Sequence, residues 1–464
     1  MSKKSHKNRP KRHPAKMPRQ HEVPEKESQG LLTRRNTLIA LGTGGVAVLA
    51  WRLGLNKLFD DDQDGNKEIV TSQEKKEVGM KDPEWMKGIE LPQTKLEPKP
   101  LNWGEKEKAD YFLPKGLNPE NLQRFYKEYD ELKSAFLSKM SDIRDPKKRG
   151  NEISAFLPKL SVLYIKYTQK PFPPKLTYGT LEFAQAMMSI NRILIPHDNL
   201  LLSGFDFEKG VSLAFFNTDE IHMAEIEQGD KKMSLPVIYL SGQQNVLTDT
   251  TKEPIGMNAF YSQDGNFLCI DIEGMKKQTI QVDNEVKERA GKLGLAVKPI
   301  DRSQFIEESF NVSLSHEGAH AALEGIMGID SMGKNAIKPK GAIDMKGYQV
   351  PEDVYSGVDN LQIHELVAIG ASLANAGDSV MYYAYSSDDR ESKSYHLALV
   401  ILLFEIIHSP FVARELRNQL MTDLFVKKMV VVDKRLQATA QIPPNELRKI
   451  GERMAKLGIY LTRK

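Results

Sequence analysis

Leu314-Ser315-His316-Glu317-Gly318-Ala319-His320-Ala321-Ala322 contains the pattern H-E-x-x-H, and the reading of the whole chain turns on it. With about 3.6 residues per helical turn, His316 and His320 project from one face, one above the other, where two imidazoles can share a metal ion. Glu317 lies about a third of a turn away and can reach a metal-held water without becoming a ligand. Ser315, Gly318, Ala319, Ala321 and Ala322 are small and uncharged, as a helix packed tightly beneath a metal requires. A solvated helix would carry Lys or Glu there.

These residues resemble the signature of the zincin metallopeptidases, His-Glu-x-x-His bracketed by uncharged positions. The resemblance covers one short helix. It implies a Zn2+ cofactor held by His316 and His320, with Glu317 as the base that takes a proton from the zinc-bound water and passes it to the leaving amine. The metzincin extension is absent, because Ala321-Ala322-Leu323-Glu324-Gly325-Ile326 follow and no third His comes soon enough. The gluzincin pattern, a carboxylate on a second helix, points instead to Glu365, 45 positions after His320. Ala368, Gly370, Ala371, Ser372, Ala374 and Ala376 then predict a helix that closely approaches Gly318, Ala319 and Ala322.

Other residues compete for roles at this site. Glu324 follows His320 by four, but ligands at i, i+4 and i+8 of a straight helix span about 12 Å, so it would serve only if the helix bent at Gly325. His364, Tyr355 and Tyr348 are placed to donate to a developing oxyanion, although each also reads as an ordinary core or surface residue. Thermolysin-like enzymes carry an orienting Asp four residues after the third ligand. Ile369 stands there in this chain, which leaves Asn375 or Asp378 as the outer partner of a ligand.

The 464 residues are 40% hydrophobic and 27% charged, a globular composition with room for two or three domains. The net charge of +3 is unevenly spread: residues 1–36 hold eleven Lys or Arg against three Glu, so the remainder is slightly acidic. No aromatic residues interleave the basic tail, which argues against a nucleic-acid partner. Thr33-Arg34-Arg35-Asn36-Thr37-Leu38-Ile39 resembles a twin-arginine export signal, with Thr37 where Phe is usual. The apolar stretch Thr37–Trp51 would span about 22 Å as a helix, short of the roughly 30 Å hydrocarbon core. It is expected to be a signal or, if uncleaved after Val48-Leu49-Ala50, a membrane anchor with the basic tail on the cytoplasmic side. Cys269 is the only cysteine and is expected to be a small core residue in a strand.

The expected organisation is a basic tail (1–36), a signal or anchor (37–55), a polar linker (56–109), a helical segment (110–205), a zincin-like domain (206–390) and a helical end (391–464). Within the linker, Asp60-x-Asp62-x-Asp64-Gly65 opens like a calcium loop, but Thr71 replaces the closing Glu. Helices are predicted from Asn118-Pro119-Glu120 through Met140, over Asn151–Tyr167 and over Thr180–Leu194. Val211–Phe216, Ile221–Ile226 and Leu235–Leu240 read as strands, and Ala259–Ile272 reads as a hairpin about Asp264-Gly265. Leu397–Ile407 and a last helix from Pro443-Pro444 complete an α+β chain. His197, His222, His396 and His408 are isolated and are expected to be structural.

An exported or membrane-tethered zinc peptidase, acting on peptide or protein outside the cytoplasm, is the function these readings favour. A non-catalytic envelope protein that keeps a zincin-like fold, and a zinc hydrolase of a non-peptide bond, use the same residues and stay open.

Overall fold

The computed structural model describes residues 83–462, apart from 174–180, 207–209, 249–258, 263–265, 296–300, 332–342, 346–347, 351–357, 378–395 and 424–431. The basic tail, the twin-arginine-like segment, the Asp60–Thr71 stretch, Asp264-Gly265, Tyr355 and Asp378 lie outside the described residues. Every described residue falls within one unit, Glu68–Lys464.

The first described elements stand where a linker was expected, and they belong to the body. Glu84–Met86 form a 3-10 turn, Gln93–Leu96 form strand β1, and helix α1 covers Glu105–Phe112. Met86, Ile89 and Phe112 are buried. β1 has no apolar run of its own; it is fixed by antiparallel pairing with residues 224–227 of a longer strand.

Helix α2 (Pro119–Asp142) starts as predicted, with the Asn118 side chain accepting from the Glu120 N–H at 2.8 Å and Pro119 at the first position. Asp145 caps α3 (Pro146–Thr168), and α4 is Leu181–Leu194. Their apolar stripes interlock through Phe125, Tyr129, Phe136, Phe156, Leu160 and Ile190.

That core closes over one end of a six-stranded sheet. Strand β2 (Asn199–Asp206) and β1 lie one after the other along one edge of β3 (Gly210–Gln228), on residues 210–217 and 224–227, and the other edge of β3 pairs with β4 (Lys231–Leu247). Two segments read as separate strands are thus one long β3, bent by register shifts at Phe215/Asn217 and Thr218/Ile221. β4 runs parallel to β6 (Phe267–Asp271), and β5 (Ala259–Ser262) pairs antiparallel with β6 to end the sheet. All five residues of β6 are buried because both faces are covered. Leu268 and Ile270 face one apolar cluster, whereas Phe267 and Cys269 face another. Cys269 is the core residue the sequence predicts.

β6 leads directly into α5 (Ile272–Lys292), capped by Asp271. Helix α6 (Arg302–Ala321) carries the H-E-x-x-H motif and is capped by Asp301. A π-helical turn, Ala322–Ile326, continues it, and a short ribbon of β7 (Ile343–Met345) and β8 (Tyr348–Val350) follows. Helices α7 (Asn360–Asn375), α8 (His396–Ile407), α9 (Arg414–Thr422), α10 (Val432–Thr439) and α11 (Pro444–Thr462) complete the α+β architecture. Arg453 of α11 pairs with Glu405 of α8 through two guanidinium nitrogens, at 2.7 and 3.1 Å, with both side chains buried. Among the described residues, no helix is long and apolar enough to cross a membrane.

The small residues of α7 divide between two partners. Ala368 and Ala371 pack with Ala319 of α6, as expected, and with Leu323 of the π turn, and Ser372 Oγ donates to the Val312 carbonyl. Gly370, however, faces α11, where a Cβ would lie 2.8 Å from the Gly451 carbonyl oxygen. A Cβ on Gly451 would lie 2.5 Å from the Ala374 nitrogen, so these two backbones touch.

Candidate metal centre

The site is built from the end of α6 and the start of α7. A capping box fixes the latter: Asp359 accepts from the Gln362 N–H at 2.9 Å, and the Gln362 side chain accepts from the Asp359 N–H at 3.2 Å. Glu365 then stands between one and two turns into α7. Asn360 donates to the Asp330 carbonyl at 2.7 Å and ties this helix to the chain leaving α6.

His316, His320 and Glu365 come together. The two Nε2 atoms are 3.3 Å apart, and Glu365 Oε2 is 3.5 Å from that of His316 and 3.8 Å from that of His320. Zinc bonds of about 2.0–2.2 Å in tetrahedral array place neighbouring ligand atoms about 3.3–3.6 Å apart, close to the edges of this triangle. Glu365 Oε2 is buried without a hydrogen-bond partner. Three lone pairs aimed at one point repel unless a cation or a proton lies among them. Burial works against a proton on His316, but the Glu365 carboxylate and the charge of Glu317 overcome it, and the His316 pKa is raised. A divalent cation answers the same demand more completely, and the donor set, two imidazoles and a carboxylate, suits zinc. Among the described residues this is the single group able to hold a metal.

Glu317 sits beside the triangle without joining it. Burial raises its pKa and the Glu365 charge adds to this; His316 and the Tyr261 N–H, donated from β5, pull the other way. The terminal strand of the sheet therefore reaches the carboxylate expected to act as base. Gly318 has a reason of its own to be glycine: a Cβ there would strike the Thr94 side chain of β1, whose Cβ and Cγ2 atoms lie 3.0 Å away.

His364 is not turned toward an oxyanion. It is fully buried, its Nε2–H donates to the Ile329 carbonyl at 2.9 Å, and its Nδ1 lies 3.4 Å from His320 Nδ1. Burial lowers its pKa to about 4, against the opposing pull of the Ile329 carbonyl and the charges of Glu365 and Asp330. His320 is held well below its usual range by burial and by its two imidazole neighbours, which keeps it neutral as a ligand must be. Glu324 is outside the ligand group; its Oε1 accepts from the Ser331 N–H at 3.3 Å. Asn375 donates to the Ala371 carbonyl on its own helix and does not serve as the outer partner of a ligand. Tyr348 lies in β8. His197 is paired with Asp130, His222 with Glu220 and the Glu97 carbonyl, and His408 with the Phe404 carbonyl, all in structural roles.

The roles of Thr94, Tyr261 and His364 were not read from the sequence. For Thr94 and Tyr261 no local signal exists, because strand pairing brings them to α6; for His364 the adjacency to Glu365 was the clue, but which way the ring faces depends on the fold. No protein-family model, curated protein or solved structure matches the chain.

Proposed function

We propose that this protein is a zinc-dependent peptidase of zincin-like build, with His316, His320 and Glu365 as ligands and Glu317 as general base. The observation that carries the reading is the triangle of Nε2, Nε2 and Oε2 atoms, with edges close to those of a tetrahedral zinc shell and with Glu365 Oε2 buried and without a hydrogen-bond partner. Zinc held there would supply a Lewis acid and a water of lowered pKa. Glu317, adjacent to the triangle and raised by burial, is suited to accept a proton from the attacking water and deliver it to the leaving nitrogen. β5 ends the sheet next to Glu317, and an extended peptide adding to that edge would lie across the site. The twin-arginine-like residues Thr33–Ile39 support export or membrane tethering of this protein, with peptide or protein substrates met outside the cytoplasm.

Zinc content and cleavage of an unfolded protein or peptide library, measured on the full chain and on Glu317→Gln, test this. The variant is expected to keep one zinc per chain and to lose at least about a hundredfold in turnover. Undiminished cleavage by Glu317→Gln would remove that residue from the chemistry. A wild type that holds zinc but cleaves no peptide would overturn the peptidase reading in favour of a binding protein or a hydrolase of another bond.

A further inference from the structure

We infer that His364 is a positioning residue that fixes the tautomer of His320, so that His320 presents a bare Nε2 to the ligand triangle. The direction of the hydrogen-bond chain follows from its far end. The Ile329 carbonyl can only accept, so His364 carries its proton on Nε2 and, as a neutral ring, keeps a lone pair on Nδ1. His320 Nδ1 faces that lone pair at 3.4 Å, and the contact is a hydrogen bond only if His320 Nδ1 carries the proton. The two rings are inclined by 13° with centroids 5.7 Å apart. That separation exceeds the nitrogen–nitrogen distance by about the sum of two ring radii, so the contact is edge to edge and in plane, as N–H···N bonding requires, and is not a face-to-face stack. His320 Nε2 is then left without a proton, 3.3 Å from His316 Nε2.

The anchor of this chain is rigid. After the π turn, the Met327 N–H returns to the Ala322 carbonyl, the Gly328 N–H to that of Glu324 and the Ile329 N–H to that of Leu323, with Gly328 at φ 70°. The π turn thus brings the Ile329 carbonyl back to the face of α7 that bears His364, and Asn360, one turn earlier on that face, grips Asp330. Among the described residues His316 has no such brace on its Nδ1, so the two histidine ligands are unequally prepared. The consequence of this chain for metal affinity, though not its geometry, rests on the zinc reading above.

The test uses the full chain with 15N-labelled histidine, metal-free and zinc-loaded, together with His364→Leu and His364→Asn. Long-range 1H–15N correlation on the metal-free wild type is expected to show His320 as the Nδ1–H tautomer and His364 as the Nε2–H tautomer; His320 protonated on Nε2 would overturn the assignment. By chelator competition, His364→Leu is expected to weaken zinc binding about 10–100-fold. His364→Asn, whose Oδ1 can accept in place of Nδ1, is expected to recover most of that loss. Equal affinity in wild type and His364→Leu, or equal loss in both variants, would overturn the positioning role. If His364→Leu does not fold, the wild-type tautomers decide. If the wild type takes up no zinc, the metal-centre reading falls, and the metal-free spectrum alone supports or overturns the tautomer assignment.

Discussion

The two ends of the β3–β4 hairpin are held by opposite means. At its open end, α2, α3 and α4 close over Leu213, Phe215 and Val246 with large rings, Phe136 and Phe156 lying 4.5 Å apart and Phe156 meeting Phe215 edge-on at 5.5 Å. The turn end packs against α6, and behind it α7 is gripped between α6 and α11 through Ala319, Ala368, Ala371, Gly370, Gly451 and Ala455. One end is stabilised by filled volume; at the other, beyond the apolar contact of the hairpin with α6, the helix layer closes through the absence of side chains. Small alanines let α7 lie close to α6, and the glycine contact with α11 holds α7 there from behind, so the position of the Glu365 arm depends on small residues more than on bulk.

The contrast predicts different failures in the two halves. Phe156→Ala empties a fully packed position and is expected to cost about 3–5 kcal/mol by denaturant melting. While the variant remains folded, its zinc affinity should equal that of the wild type; a weakened site would mean that the halves are not independent. Gly451→Ala is expected to cost less, about 1–3 kcal/mol, because the added methyl meets backbone atoms that cannot turn aside and outweighs the better helix propensity. It should also weaken zinc by shifting α7 and Glu365, and a Gly451→Ala variant with unchanged zinc affinity would break the link between helix spacing and ligand geometry. The smallest effect, of opposite sign, is expected at Gly291 of α5, where an added Cβ meets nothing within 4 Å. Gly291→Ala should stabilise by about 0.4–1 kcal/mol.

The same contrast explains what the sequence made legible. Periodic large residues announced α2, α3 and α4 directly, and the apolar runs in β4 and β6 announced the sheet. The motif placed α6, and Glu365 was reached through the small residues that follow it, although those residues were assigned wholly to α6 when Gly370 and Ala374 face α11. Gly451, Ala455 and Gly458, spaced by four and three, form the complementary face and were the signal for that partner. β1 was read as linker because Gln93-Thr94-Lys95-Leu96 carries no apolar run; pairing with β3 makes it a strand. α5 went unread because few apolar residues, among them Met275, Val286 and Ala290, hold it to the body. The His364 contact escaped for a different reason: a π turn and a left-handed Gly328 decide where the Ile329 carbonyl points, and neither is written in a residue pattern.

X-ray absorption at the zinc edge of the purified full chain tests the central claim most directly. One zinc per chain is expected, with a four-coordinate shell of two imidazole nitrogens at about 2.0–2.1 Å and oxygen donors at about 2.0–2.2 Å. In Glu365→Ala the two imidazoles should remain and one oxygen should be replaced or lost, with weaker binding. A protein that takes up no zinc when zinc is supplied, or a zinc shell without two imidazoles, would contradict the account.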